Sequence, residues 1–332
     1  YDSRLILTML KKLGYDNVNA FYYGAPGNRN WERKYSLALA QKLNVPWKHV
    51  VFTSKYIHNV FNSKTRKEYG TFADHLCSLP SYTYMFYLEG LKEHNLLSNN
   101  NVMIKGHAGD FISGNHLFDL VTNAPVEISS IYDIIIKKHY SLWTNLKTDY
   151  NCEQILGRIK SVISEVEFDG SSQSAANILD FWEWNERQCK YVINAQAAYS
   201  YWGVDWELPL WDEDYLRFWK TIPWHLKYKQ KLYRNFLFKI DPMGAFKNYN
   251  PNRRLSWSKL LIVIPFFAFA KLFPKERKDR LVRKYLRYLI DPLNLHAVVP
   301  YFEHIKKSEY HRNALSYQSE MHLDEMGLRP FT

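Results

Sequence analysis

A chain of 332 residues with 46% hydrophobic and 17% aromatic side chains buries a large core, which excludes a disordered or fibrous protein and leaves room for one large domain or two associated ones. Its 44 Lys and Arg against 33 Asp and Glu give a formal charge of +11, which favours partners carrying negative charge: nucleotide phosphate, nucleic acid or anionic lipid. Cys77, Cys152 and Cys189 are odd in number and lack CxxC or His-flanked spacing, which speaks against a zinc site and for reduced thiols in a cytoplasmic protein.

The sequence opens on Tyr1-Asp2-Ser3-Arg4 and runs straight into a helical pattern over residues 4–13, closed by Gly14. That opening implies a first strand, and the start of its turn, upstream of Tyr1. Strand then alternates with helix: a strand at 18–23, a helix at 30–43, a strand at 49–52, a helix at 80–94 and a short buried strand at 101–104. The alternation predicts an α/β fold over residues 1–124, a Rossmann-like parallel sheet with flanking helices. From about Pro125 to residue 332 the pattern is mainly helical, with helices at 128–140, 152–166, 174–201, 213–222, 229–240, 257–273 and 275–289. Aromatic residues crowding 182–202 read as core. The apolar run at 260–273 is too short to span a bilayer and reads as a core helix, with a membrane-surface element beside the basic helix 275–287 as its alternative.

Residues 105–116, KGHAGDFISGNH, follow the strand at 101–104 and lead into a predicted helix at 111–120. Gly106 and Gly109 allow backbone N–H groups to approach a ligand, and Asp110 sits where a phosphate-bound magnesium would take an oxygen ligand. The plainer alternative makes Asp110 a helix cap and the glycines turn formers.

Further stretches carry a resemblance. Tyr1-Asp2-Ser3 resembles the end of the Ser-Gly-Gly-x-Asp-Ser loop of the ATP pyrophosphatases, and residues 203–212, GVDWELPLWD, resemble the Gly-Val-Glu-x-Arg-x-Pro-Phe-Leu-Asp segment of the asparagine synthetase family. In that family the glycine loop reads Gly-Glu-Gly-x-Asp-Glu-x-x-x-Gly, matched here by Gly106, Gly109, Asp110 and Gly114. Glu32 with Tyr35, Ala40 and Leu43, and Leu232-Tyr233-Arg234, extend the ordered match to roughly residues 1–255. The chain thus resembles the asparagine synthetase-like family of the PP-loop ATP pyrophosphatases, whose sheet is of the HUP type.

The resemblance implies an ATP-dependent ligase that activates a carboxylate as an acyl-adenylate, releases pyrophosphate and forms an amide with ammonia or an amine. It implies ATP and magnesium as cofactors. Asp2 and Asp110 would ligate the metal, while Ser3, Gly106 and Gly109 would hold phosphate. Lys247 lies near the family's catalytic lysine, with Arg253 and Arg254 as rivals. A glutaminase domain upstream is a further implied partner. His107 replaces the family's first Glu and is expected to act as general base toward an amine, its alternative being a hydrogen-bonded loop histidine. Phe111 and Glu207 also depart from the family pattern, which implies a substrate other than that of asparagine formation. Asp212 reads as a helix N-cap. Two other readings stand beside this one. A PP-loop enzyme acting on tRNA is favoured by the charge but disfavoured by the lack of cysteine pairs; the other is a degenerate member that binds a partner or membrane.

Overall fold

In the computed structural model of the chain, which describes residues 1–26, 31–98, 100–247, 257–291 and 295–328, four short strands form two separate parallel pairs within a mainly helical body. β1 (Ala20–Gly24) pairs with β2 (Trp47–Val51), Ala20 opposite Trp47 and Gly24 opposite Val51. β3 (Val102–Ile104) pairs with β4 (Asp205–Glu207), Met103 opposite Trp206. Parallel neighbours need long crossovers, and helices provide them. The one continuous Rossmann-like sheet expected from the alternating pattern is not formed by the described residues. β1 and β3 have no ladder between them, and β3 and β4 are only three residues long, so the fold is helix-rich with two small parallel sheets.

Three helices follow the predicted positions closely. α1 (Asp2–Lys12) carries Asp2 in its first turn and Lys11 and Lys12 in its last, charges that complement the helix dipole. Arg4 ties it to the distant chain by donating to the Ala245 carbonyl at 2.6 Å. α2 (Trp31–Lys42) joins β1 to β2. Two short helices that periodicity did not reveal come next, α3 (Ser54–Phe61) and α4 (Lys64–Ala73), begun by Thr53 and Ser63, whose hydroxyls accept from Tyr56 N and Arg66 N. α5 (Tyr82–Glu93) is buried over most of its length. It lies on the first strand pair so closely that a Cβ on Gly90 would stand 2.3 Å from Val50 Cγ1.

The helix predicted at 111–120 shrinks to α6 (Gly109–Ile112). Gly114 ends it with φ +94, and a Cβ there would collide with the Lys227 carbonyl at 2.5 Å. α7 (Ile128–His139), α8 (Asp149–Ile163) and α9 (Ser172–Trp182) then pack a core of Ile131, Ile135, Ile159, Leu179 and Trp182. The expected single helix at 174–201 is three pieces. After α9 the chain widens into a π-helical stretch, Glu183–Ile193, makes one tight turn at Asn194–Gln196, and resumes as α10 (Ala197–Tyr201). Trp182 and Tyr199 are fully buried, as the core reading required. α11 (Glu213–Lys220) starts at Asp212, whose carboxylate accepts from Asp214 N and Tyr215 N. With α12 (Lys231–Ile240), it shares a core with α1, α2 and α6.

The last predicted elements change more. α13 (Trp257–Ala270) forms, yet Leu261, Ile264 and Phe269 are exposed, so it is not the core helix that its composition suggested. α14 (Lys275–Leu281) follows it. Among the described residues no helix is long and apolar enough to cross a membrane.

Candidate active site

The first turn of α1 meets the loop after β3. A Cβ on Gly106 would lie 2.7 Å from Ser3 N and 2.8 Å from Asp2 Cβ; one on Gly109 would lie 2.7 Å from Asp2 Cγ and 2.6 Å from Leu210 Cδ1. Glycine at both positions is therefore what admits Asp2, beyond any need of the turn. Between them Ala108 is buried with φ +67, a left-handed conformation that is uncommon outside glycine. β4 supports the loop from below, since Lys105 N donates to the Glu207 carbonyl at 3.1 Å. The two segments that resemble one family thus touch, through Leu210 on Gly109.

Asp2, Ser3, Gly106, Gly109 and Asp110 are consequently brought together. Asp2 Oδ1 accepts from the Tyr233 hydroxyl at 2.8 Å. Burial pushes the Asp2 carboxyl up, the charge of Asp110 adds to that, and the Tyr233 hydroxyl works against it. Asp110 is exposed in the first turn of α6, and its Oδ1 accepts from Phe111 N at 2.8 Å; it is not the helix cap, since Ala108 holds that position and makes no side-chain cap. Two adjacent carboxylates suit a hard divalent cation that keeps water and phosphate ligands. No group of three or more His, Cys, Asp and Glu residues able to hold a metal occurs among the described residues.

His107 points into a second cluster. Its ring stacks on Tyr84, whose hydroxyl stands 2.9 Å from its ring nitrogens, and Gln196 Nε2 lies 3.3 Å from Nδ1. Burial lowers its pKa, with Asp110 opposing and Arg187 assisting, so the neutral ring is favoured. Gln196 arrives here because the chain turns between the π-helical stretch and α10.

Lys105 is the residue that sequence reasoning missed. Its ammonium stands 4.7 Å from the ring centre of Tyr87, 5.0 Å from Tyr84, 5.3 Å from Tyr23 and 5.9 Å from Tyr199. Burial lowers its pKa to about 8. Close by, two buried polar atoms, Tyr199 Oη and Gln196 Oε1, have no hydrogen-bond partner. A cation caged by aromatic rings with no carboxylate partner among the described residues, beside unsatisfied polar groups, is a binding-site signature. The available signal was a lysine ending an apolar strand directly before a glycine.

Lys247 lies in an exposed turn just after Phe246, whose ring stacks 6.5 Å from that of Tyr1. The turn is therefore near the start of α1, but no ion pair ties Lys247 to Asp2 or Asp110 among the described residues. Arg253 and Arg254 lie outside the described residues. Glu207 falls in strand β4 and Phe111 in α6, where Phe111 is buried against Trp184 and Trp211 and serves packing. No family model matches this sequence, and no curated protein matches it.

Proposed function

We propose that the protein is an ATP-dependent carbon–nitrogen ligase of the asparagine synthetase kind, acting on a carboxylic acid and an amine or ammonia. The observation that carries this reading is the pair of glycines, Gly106 and Gly109, that opens the loop to Asp2 and sets its carboxylate beside Asp110 at the carboxyl end of β3.

Asp2 and Asp110 would hold magnesium, which when bound offsets the charge of the phosphates. Ser3 and N–H groups of the Gly106–Gly109 loop would meet the phosphate oxygens. The acid's carboxylate displaces pyrophosphate from the α-phosphorus of ATP, and the amine then displaces AMP from the acyl carbon. Lys105 offers its ammonium to the incoming carboxylate, and Tyr199 and Gln196 offer unsatisfied polar atoms. Neutral His107 takes the proton that the attacking amine must lose, with the Tyr84 hydroxyl orienting its ring. The free thiols of Cys77, Cys152 and Cys189 fit a reducing, cytoplasmic setting.

The test is pyrophosphate release from ATP across a panel of acids, measured on the full-length protein. One or more acids should accelerate release, and Asp110→Ala should abolish it. Release that no acid stimulates, or that survives in Asp110→Ala, would overturn the assignment.

A further inference from the structure

α13 carries no charged side chain from residue 260 to residue 270, and its surface is divided by helical geometry. Val263 and Ala270 are buried on one side. Leu261, Ile264, Pro265, Ala268 and Phe269, with Leu272 just beyond the helix, are exposed; Leu261 at 75%, Ile264 at 61%, Phe269 at 54% and Leu272 at 77% keep most of their surface in water. At 3.6 residues per turn these positions fall within an arc of about 140°. A continuous apolar face of this kind marks an interaction surface.

Charge decides between occupants. The chain from Lys271 to Lys284 holds seven Lys and Arg against Glu276 and Asp279. Aromatic contacts fold this basic stretch back against the apolar helix: Lys278 Nζ stands 5.8 Å from the Phe267 ring, and the Arg277 guanidinium 4.6 Å from Phe273. Lys271, Lys275, Arg277 and Arg280 are exposed around it. A second copy docking face to face would bring two such basic rims together, whereas an anionic surface would neutralise them. At about 1.5 Å per residue the 14-residue helix is about 21 Å long, short of a bilayer's roughly 30 Å apolar core.

We infer that α13 lies in the plane of an anionic membrane surface, its Leu261, Ile264 and Phe269 face entering the acyl boundary and its basic rim meeting the headgroups. Apolar burial and polybasic attraction together give reversible attachment. The inference is independent of the reaction proposed above.

Sedimentation of the full chain with vesicles of phosphatidylcholine, alone or mixed with phosphatidylserine, tests it. Binding to the mixed vesicles should exceed binding to the neutral ones by about tenfold or more and should weaken as salt is raised. Leu261→Glu with Ile264→Glu should abolish it. Because that pair could disturb α13, Lys275→Gln with Arg277→Gln, both exposed, gives a second arm and should weaken binding to mixed vesicles several-fold while leaving the melting temperature unchanged. No binding to either vesicle, or binding unaffected by both pairs of substitutions, would overturn the inference. So would self-association that Leu261→Glu abolishes.

Discussion

A Cβ added to Gly109 would stand 2.7 Å from Asp2 Cγ, and 2.6 Å from Leu210 Cδ1 beside it, so Asp2 and Leu210 together occupy the side-chain space of residue 109. Its helical backbone would accept alanine, which makes crowding the only objection. Gly109→Ala is therefore expected to displace Asp2 and weaken its bond from Tyr233, destabilising the fold by about 1–3 kcal/mol, the usual effect of overpacking. Thermal melting measures the first consequence and acid-dependent pyrophosphate release the second. An alanine variant with unchanged melting and full activity would show that the contact is irrelevant.

Lys105 opposes stability where it stands. Its ordinary value of 10.5 is lowered to about 8 by burial, so the unfolded chain binds the proton more tightly than the folded one. The penalty is fully present below about pH 8 and is relieved as pH rises toward 10.5. Lys105→Met, which keeps the length and removes the charge, should stabilise the protein by about 1–3 kcal/mol at pH 7, less at pH 10, while weakening use of the acid substrate. Chemical denaturation at the two pH values, together with the KM for the acid, checks this. A variant less stable at pH 7 would show that the tyrosine cage gains more from the cation than its burial costs.

Glu183 works in the opposite direction. Burial favours its neutral form, but a hydrogen bond from His139 Nε2 at 2.9 Å, and the charge of Lys138, lower it from 4.5 to about 2. A carboxyl depressed in this way contributes stability that is present above about pH 4.5 and is lost as pH falls through about 2. Glu183→Gln should cost on the order of 3 kcal/mol at pH 7 and flatten the loss of stability across that acid window. Denaturant midpoints measured from pH 7 down to pH 3 would reveal an unchanged slope if the pairs contribute nothing.

His107 separates the two halves of the proposed reaction. His107→Gln should leave acid-dependent pyrophosphate release largely intact and reduce amide formation by about 10²–10⁴-fold, the range of general base catalysis. Quantifying pyrophosphate and amide in the same reaction gives the ratio. Equal loss of both products would assign His107 to the acid site with Lys105.

Much of the first half was legible from pattern alone: α1, α2, α5 and the strand at 102–104 lie within about two residues of their expected positions, because alternating apolar runs and glycine stops leave few options. The meeting of Asp2 with the Gly106–Asp110 loop was legible through ordered motifs. The division of the expected single sheet into two separate strand pairs was not, because strand pairing is non-local and three-residue strands leave little periodicity to read. Lys105 escaped notice because its cage comes from Tyr23, Tyr84, Tyr87 and Tyr199, on three separate elements. The split of the 174–201 helix was equally hidden, since residues that continue as a π-helical stretch have ordinary helical composition. α13 was misjudged because apolar composition says that a surface will be covered, not by what.

Magnesium-dependent ATP binding by the full-length protein, followed calorimetrically for the natural sequence, Asp2→Asn and Asp110→Asn, tests the central claim most directly. The natural protein should bind ATP in the presence of magnesium, and each substitution should weaken that binding about tenfold or more while the melting temperature shows both variants folded. Unaltered affinity in both would contradict a nucleotide site built on Asp2 and Asp110.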